Sequence, residues 1–229
     1  MCRIARAVAP EYPHLVLQCG NYGQTIFGED ADYRLYLAML RESVAKFGLS
    51  ILAYCLMSNH VHFVCVPRDA DSLAKTLNTL HMRYSQYFNH KKGRHGHLWQ
   101  GRFYSSILDG RHALEAMRFI ETNPLRRGLV ADATAYPWSS ARGHALVTSD
   151  PVLQDGCSIV RGVGDWKAFL SAASDVELIE DIRRNIRAGR PCGDKEFVRT
   201  LETLLNRNLS ARPRGRPRKV VENPKEFSI

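Results

Sequence analysis

The stretch LSILAYCLMSNHVHFVCV, residues 49–66, decides the fold of this chain. Its first half, Leu49–Leu56, is apolar and rich in residues that favour β-strands. Its second half, His60–Val66, alternates as a strand does, and the short segment Met57-Ser58-Asn59 between the halves is typical of a tight turn. The stretch therefore predicts a β-hairpin.

Further strands and helices are predicted on both sides of this hairpin. Runs of apolar residues at helical spacing end at Gly48 and before Asn123-Pro124, where helices commonly stop. The order of elements, β-α-β-β-α-β-α, is that of the split βαβ pattern. We therefore expect an α+β, ferredoxin-like fold in which an antiparallel sheet carries its helices on one face. The additional predicted strands are Tyr12–Gln18 and Arg102–Leu108, and the predicted helices are Asp30–Phe47, Ser72–Phe88 and His112–Thr122.

The net charge of +9 is concentrated towards the C-terminal end. Of the 32 Lys and Arg residues, twelve lie between Arg183 and Lys219, together with three of the 23 acidic residues. A neutral body with a basic end predicts a polyanionic partner. We expect a domain over residues 1–145, a mostly helical accessory segment over 146–209, and a disordered basic tail over 210–229, where Pro, Arg and Lys dominate.

A membrane location is not expected. The sequence contains no apolar run near the ~20 residues that a membrane span requires. Its first residues, MCRIARAVAPEYPH, lack the apolar centre of a signal peptide. We therefore expect a cytoplasmic protein.

The tripeptide His60-Val61-His62 begins the second strand of the hairpin. Because side chains alternate along a strand, both imidazoles project to the same side, with Cα atoms about 6–7 Å apart. Two such rings can bind one divalent ion. Alternatively, the same pattern arises from two partly exposed strand histidines that bind no metal. Packing of the helix that ends at Asn123 over the sheet would bring that amide to the rings. Two imidazoles and an amide with open positions suit Mg²⁺ or Mn²⁺ acting on a phosphate oxygen.

Four blocks of the sequence resemble the REP-associated tyrosine transposases, which belong to the single-tyrosine HUH (IS200-like) transposases. The blocks are SNHVHFV, GHLWQGRFYSSIL, RFIETNPLRRGLV and YPWSSARGH, and the resemblance extends over about residues 10–145. It implies that His60 and His62 are the HUH histidines and that Asn123 is the third metal ligand. It also implies that such a protein cleaves single-stranded DNA beside a hairpin, forming a 5′-phosphotyrosine bond and freeing a 3′-OH.

The position that the resemblance assigns to the nucleophile holds Phe119 in place of tyrosine. Phenylalanine has no hydroxyl, so it keeps the shape of the site and cannot form the phosphotyrosine bond. Three interpretations stay open at this point. The protein binds DNA without cleaving it, another tyrosine attacks, or the metal activates water. The alternative tyrosines are Tyr104, which we favour, Tyr84 and Tyr87. A lesser departure is Cys19, which stands where the resemblance implies an arginine.

Two basic segments predict contact with DNA. The tail segment Arg214-Gly215-Arg216-Pro217-Arg218-Lys219 is similar to an AT-hook, which inserts arginine into the narrow minor groove of A·T-rich duplexes; a solvated basic tail gives the same composition. In the core, residues 89–97 predict a basic loop that leads to Trp99, an aromatic for base stacking or for core packing. We therefore expect partners in single-stranded hairpin repeats and A·T-rich duplex, and a nucleoid-associated protein. The predicted DNA contacts in the core are Lys91, Lys92, Arg94, Trp99, Arg102, Arg126 and Arg127.

Overall fold

A computed structural model of the protein describes residues 6–146, 148–153 and 158–210. The AT-hook-like segment at 214–219 lies outside these residues. In the part of the chain so described, no helix combines the length and the apolar character needed to cross a membrane.

The hairpin predicted from residues 49–66 is formed by β2, Leu49–Met57, and β3, His60–Pro67. β1, His14–Cys19, pairs antiparallel with β3 on one side and with β4, Tyr104–Ile107, on the other. The four strands form one sheet in the order β2-β3-β1-β4. This arrangement confirms the α+β class and the antiparallel sheet of the ferredoxin-like prediction.

Helices connect and cover the strands. α1 begins at a capping box in which Glu29 and Asp32 bond reciprocally to each other's backbone N–H groups, and it ends at Gly48 with a φ of 65°. The helices in the described residues are α1 Asp30–Phe47, α2 Ser72–Lys92, α3 Gly110–Glu121, α4 Asn123–Arg126, α5 Ala141–Leu146, α6 Ser158–Arg161, α7 Trp166–Ser171, α8 Val176–Ala188 and α9 Lys195–Leu204.

Helices cover both faces of the sheet, and the prediction that they lie on one face is wrong. α1 and α2 pack on the face that carries Val61 and Phe63. α3 and α8 pack on the opposite face, which carries Leu52 and Val64. The reason lies in β2, in which eight of nine residues are buried. A strand that is apolar on both sides needs a layer of helices on each side.

α2 extends four residues beyond its predicted end. The segment 89–92, predicted as part of a basic loop, forms the last turn of the helix. Three basic residues in that turn face the negative end of the helix dipole, which favours continued helix, and Gly93 then ends it with a φ of 58°. The predicted loop is therefore shorter and begins at Gly93.

The segment after residue 146 folds back onto the sheet beside α3. α8 contributes Ile182 and Ile186 to the apolar cluster that also contains residues of α3. After α8, the Cys192 N–H donates to Ile107 O at 2.8 Å, and Asp109 N–H donates to Cys192 O at 3.0 Å. The chain thereby covers the free edge of β4 and fixes α8 over the face that carries the histidine pair. The domain boundaries at 145 and 209 stay predictions.

Candidate metal centre

His60 and His62 lie side by side at the start of β3, on the face covered by α3. Their ring centroids are 4.9 Å apart and the ring planes are nearly perpendicular, at 86°. Val61 points to the opposite face, where it is fully buried against the α1 and α2 layer. The alternation of the strand therefore places the two imidazoles together, as the i, i+2 spacing predicts.

Asn123 brings a third polar group to the pair. It is the first residue of α4, directly after the break at Thr122 that separates this short helix from α3. Its amide Nδ2 lies 3.2 Å from Nε2 of His60, and the side chain is 6% exposed. Rotating the amide by half a turn would present Oδ1 to the same space. The structure thus joins β3 to the end of α3 through these groups.

Asn59 orients the first histidine and was not singled out from the sequence. Its Oδ1 accepts a hydrogen bond of 2.6 Å from Nδ1–H of His60. A proton on Nδ1 leaves the lone pair of Nε2 free, and that nitrogen is the one that faces Asn123. Such an outer hydrogen bond is typical of metal-binding histidines, whose second ring nitrogen is held by a neighbouring acceptor.

Burial keeps both imidazoles neutral at neutral pH. Burial and, to a smaller extent, the nearby charge of Arg127 together lower the pKa of His60 to about 4. Burial also lowers the pKa of His62 well below its usual value, with smaller contributions from His60 and Arg126. Only neutral imidazole can donate an electron pair to a metal, so the electrostatics suit metal binding.

The donor set fits a divalent cation. Nδ1 of His62 is buried and has no hydrogen-bond partner among the described residues, which is costly unless a ligand occupies that nitrogen. Nowhere in residues 6–146, 148–153 and 158–210 do three or more His, Cys, Asp or Glu side chains form a group that could hold a metal. The centre at His60 and His62 differs because its third donor is an amide, a ligand typical of Mg²⁺ and Mn²⁺ sites.

Phe119 lies next to this centre, on the last turn of α3. Its ring centroid is 6.3 Å from that of His62. Arg126 covers the ring with its guanidinium carbon 4.2 Å from the ring centroid, and it donates to Phe119 O at 2.7 Å. Arg183 of α8 approaches the same ring at 5.3 Å. The space beside the histidines is therefore bordered by an apolar ring and two guanidinium groups.

Among the alternative tyrosines, Tyr104 lies on the face of the histidine pair. It stands opposite Leu17 of β1, which in turn stands opposite His62 of β3. Directly opposed residues share a face, and two strand spacings separate Tyr104 from His62 by about 10 Å at Cα. Tyr84 and Tyr87 belong to α2 on the other face, where their hydroxyls donate to Ile26 O and to Asp32.

The loop that contains Trp99 borders the same end of the sheet. Gln100 N–H donates to Cys19 O at 2.9 Å, and Cys19 stands opposite His60. The Trp99 indole N–H donates to His81 O at 3.0 Å and the ring packs against α2, so this side chain is at least a core anchor. Lys92, Arg94 and Arg102 are exposed along this loop and at the end of α2.

Lys91 differs from the other predicted cationic contacts. Its ammonium group lies 2.5 Å from a carboxylate oxygen of Glu29 and 2.5 Å from one of Asp32. Two carboxylates therefore compensate its charge before any phosphate approaches. Its role in DNA binding stays a prediction. Arg126 and Arg127, by contrast, form no ion pair with a carboxylate in the described part of the chain.

A buried carboxyl group fixes the end of α3. Glu121 is fully buried and accepts hydrogen bonds from Ser140, from His144 at 2.8 Å and from the indole of Trp166 at 2.7 Å. Two later segments, one at Ser140 to His144 and one at Trp166, thus converge on the residue two positions before Asn123. This network was missed from the sequence, because its donors lie 19 to 45 residues downstream.

The chain is similar to a described protein family and to solved structures. A family model described as "Transposase IS200 like" matches residues 8–123, just over half of the chain, including the histidine pair and Asn123. Among solved structures, a REP-associated tyrosine transposase bound to a REP hairpin is similar over 68% of this chain and 93% of its own, with a TM-score of 0.53 and 16% sequence identity. A candidate transposase from Deinococcus radiodurans matches 53% of this chain and 97% of its own at 20% identity, with a TM-score of 0.37. No curated protein matches.

Replacing Glu121 with alanine should destabilise the protein strongly. Two buried donors, Ser140 and Trp166, and the partly buried His144 would lose their acceptor, so we expect the free energy of unfolding to fall by about 3 kcal/mol or more. Urea denaturation followed by circular dichroism measures this change. Glu180→Ala, at an exposed position of α8, is the control and should stay within about 0.5 kcal/mol of the parent protein. Equal effects of the two substitutions would contradict the structural role of Glu121.

Proposed function

The chain belongs to the IS200-like transposase family, and from this premise we propose that it binds hairpin-forming single-stranded DNA at a divalent-metal centre formed by His60, His62 and Asn123. The observation that carries the proposal is the meeting of two neutral imidazoles and an amide beside a ring bordered by arginines. The REP-associated transposase with a similar fold is bound to a REP hairpin, which supports this class of substrate. We propose that this protein acts at the nucleoid, in the cytoplasm.

The metal-binding role follows from the chemistry of the three side chains. Nε2 of His60 and a ring nitrogen of His62 would supply two nitrogen ligands, and the Asn123 amide oxygen would supply the third. Mg²⁺ or Mn²⁺ bound there would polarise a phosphate oxygen of the DNA strand. Asn59 would hold the His60 ring in the required tautomer.

The arginines around the centre suit the phosphate of a DNA strand. Arg126 is held above Phe119 by its bonds to Thr122 and to Phe119 O, so its guanidinium is oriented before DNA arrives. Arg127 adds a positive charge close to His60. A guanidinium group binds phosphate oxygens through paired, charge-assisted hydrogen bonds. The site would therefore combine a metal ion that acts as a Lewis acid with arginine side chains that bind phosphate.

Phe119 separates DNA binding from strand cleavage. In the family reaction, a tyrosine oxygen forms a bond to phosphorus while the bond to the 3′-oxygen breaks and that oxygen leaves as a 3′-OH. Phe119 has no oxygen with which to form the new bond. We therefore propose that the protein binds its hairpin substrate and forms no covalent intermediate at this position.

Substituting Phe119→Tyr should restore a covalent reaction. The tyrosine would occupy the same space beside His62, and its hydroxyl would lie near the bound phosphate. We expect a protein–DNA adduct on a denaturing gel when the variant is mixed with labelled hairpin single strands and Mn²⁺, and no adduct with the parent protein. A second substitution, Asn123→Ala, should abolish the adduct in the Phe119→Tyr background.

Other outcomes of the same gel decide between the remaining interpretations. An adduct with the parent protein that disappears in Tyr104→Phe would identify Tyr104 as the nucleophile, whose position on the metal face favours it over Tyr84 and Tyr87. Cleaved strands without an adduct would indicate attack by water. Either result would contradict the proposal that the parent protein leaves the strand intact.

Additional DNA contacts are proposed for the loop beside β1. Lys92, Arg94 and Arg102 lie close to the Trp99 segment, which borders the metal end of the sheet. Cations next to an aromatic side chain suit a single strand, whose phosphates pair with charge while bases stack. Residues 1–145 would act as the transposase domain and 146–209 as its helical accessory segment.

The basic tail over 210–229 would bind A·T-rich duplex DNA independently of the metal centre. A chain truncated after Ser210 should lose at least tenfold in affinity for A·T-rich duplex, because the arginines that enter the minor groove are removed. Fluorescence anisotropy with A·T-rich and G·C-rich duplexes measures the change, and hairpin single strands serve as the control ligand. An unchanged preference for A·T-rich duplex in the truncated chain would contradict this role.

A further inference from the structure

α8 places two arginines at the border of the candidate metal centre. Arg183 lies with its guanidinium carbon 5.3 Å from the centroid of the Phe119 ring, on which Arg126 also rests. Arg187 follows one helical turn later on the same side of α8, about 6 Å further along the axis. Arg187 lies near enough to Cys19, the residue opposite His60, for its positive charge to lower the pKa of that thiol against the larger effect of burial, which raises it. Arg183 therefore borders the centre beside Phe119 of α3, and Arg187 borders it beside Cys19 of β1.

The position of α8 is fixed by the fold. Its apolar residues Ile179, Ile182 and Ile186 are buried, and the last two pack in one cluster with residues of α3 and the sheet. At its C-terminal end, Arg190 O accepts a bond from Ser106 of β4, and Cys192 pairs with Ile107. A helix held at both its side and its end keeps the exposed arginines of its other side in a constant place.

These arginines carry uncompensated charge. No carboxylate in residues 6–146, 148–153 and 158–210 forms an ion pair with Arg183 or Arg187, whereas their neighbour Arg184 pairs with Asp181. Together with Arg126 and Arg127 they form a group of four like charges around one site. Such a group repels itself unless an anion binds, so it favours a polyanionic ligand over solvent alone.

We infer that Arg183 and Arg187 bind successive phosphates of the single DNA strand that enters the metal centre, so that a helix outside the family-matched residues 8–123 completes the DNA site. The inference rests on the proposed function, because it requires a strand at the centre. Arg126 and Arg127 would hold the phosphate on one side, and α8 would direct the strand away from it along the helix.

The salt dependence of DNA binding tests this inference. Each phosphate contact on a single strand adds about 0.7 to the slope of log affinity against log salt concentration. We expect Arg183→Ala/Arg187→Ala to lower the slope of the full chain by about 1.4 and to weaken binding roughly tenfold or more at low salt. Fluorescence anisotropy of a labelled hairpin with a single-stranded extension, titrated at several NaCl concentrations and constant Mn²⁺, gives both values.

Matched variants keep the test specific. Arg184→Ala lies on the same helix, is ion-paired with Asp181, and should leave the slope unchanged. Arg183→Lys/Arg187→Lys keeps both charges and should keep the slope. In the parent protein, neutral methylphosphonate at the phosphates next to the hairpin should reproduce the loss, and in the double alanine variant it should add little.

Failure of this inference is distinguishable from failure of the proposed function. A double alanine variant that binds the hairpin with the slope of the parent protein would overturn the role of α8 and leave the metal centre in place. A double alanine variant whose slope falls no more than that of Arg184→Ala would do the same. A parent protein that binds no hairpin strand at any salt concentration would overturn the proposed function and this inference together.

Discussion

The contact between the Asn123 amide and Nε2 of His60 joins the sheet to the end of α3, and the candidate site depends on it. β3 can present two rings on one side because strands alternate, and Asn123 can present its amide directly after α3 because that helix breaks before Pro124. The two halves meet because α3 packs on β2 and β3 through an apolar interface, while Glu121 is held by three donors from two later segments. The proposed metal centre is thus built on contacts of the buried interior.

The electrostatics of the site divide into a neutral centre and a charged border. Burial keeps both imidazoles unprotonated, and the surrounding arginines come from two separate parts of the chain, α4 with the residue after it and α8. A neutral ligand set surrounded by guanidinium groups suits an anion bound through a cation. Under the proposed function, the residues that would bind phosphate are present, whereas Phe119 lacks the hydroxyl with which a tyrosine would attack it.

Much of this arrangement follows from local sequence signals. The order of strands and helices, the shared side of His60 and His62, and the break of the helix before Pro124 each depend on spacing within a few residues. Helices on both faces of the sheet were not predicted, although the continuous apolar run of β2 indicates a strand that is buried on both sides. Arg183 could not be placed from the sequence, because α8 reaches Phe119 through contacts with α3 and β4, which lie far earlier in the chain. The ion pairs of Lys91 with Glu29 and Asp32 likewise join segments that are distant in the sequence, so they could not be predicted from local spacing.

Mn²⁺ binding by the full chain tests the central claim most directly. Isothermal titration calorimetry should detect one Mn²⁺ per chain in the parent protein and none in His62→Ala, while His90→Ala, at an exposed position of α2 on the other face, should bind as the parent does. Thermal melting of each variant establishes that it is folded. A parent protein that binds no Mn²⁺, or a folded His62→Ala variant that binds it with unchanged affinity, would contradict a metal centre at these residues.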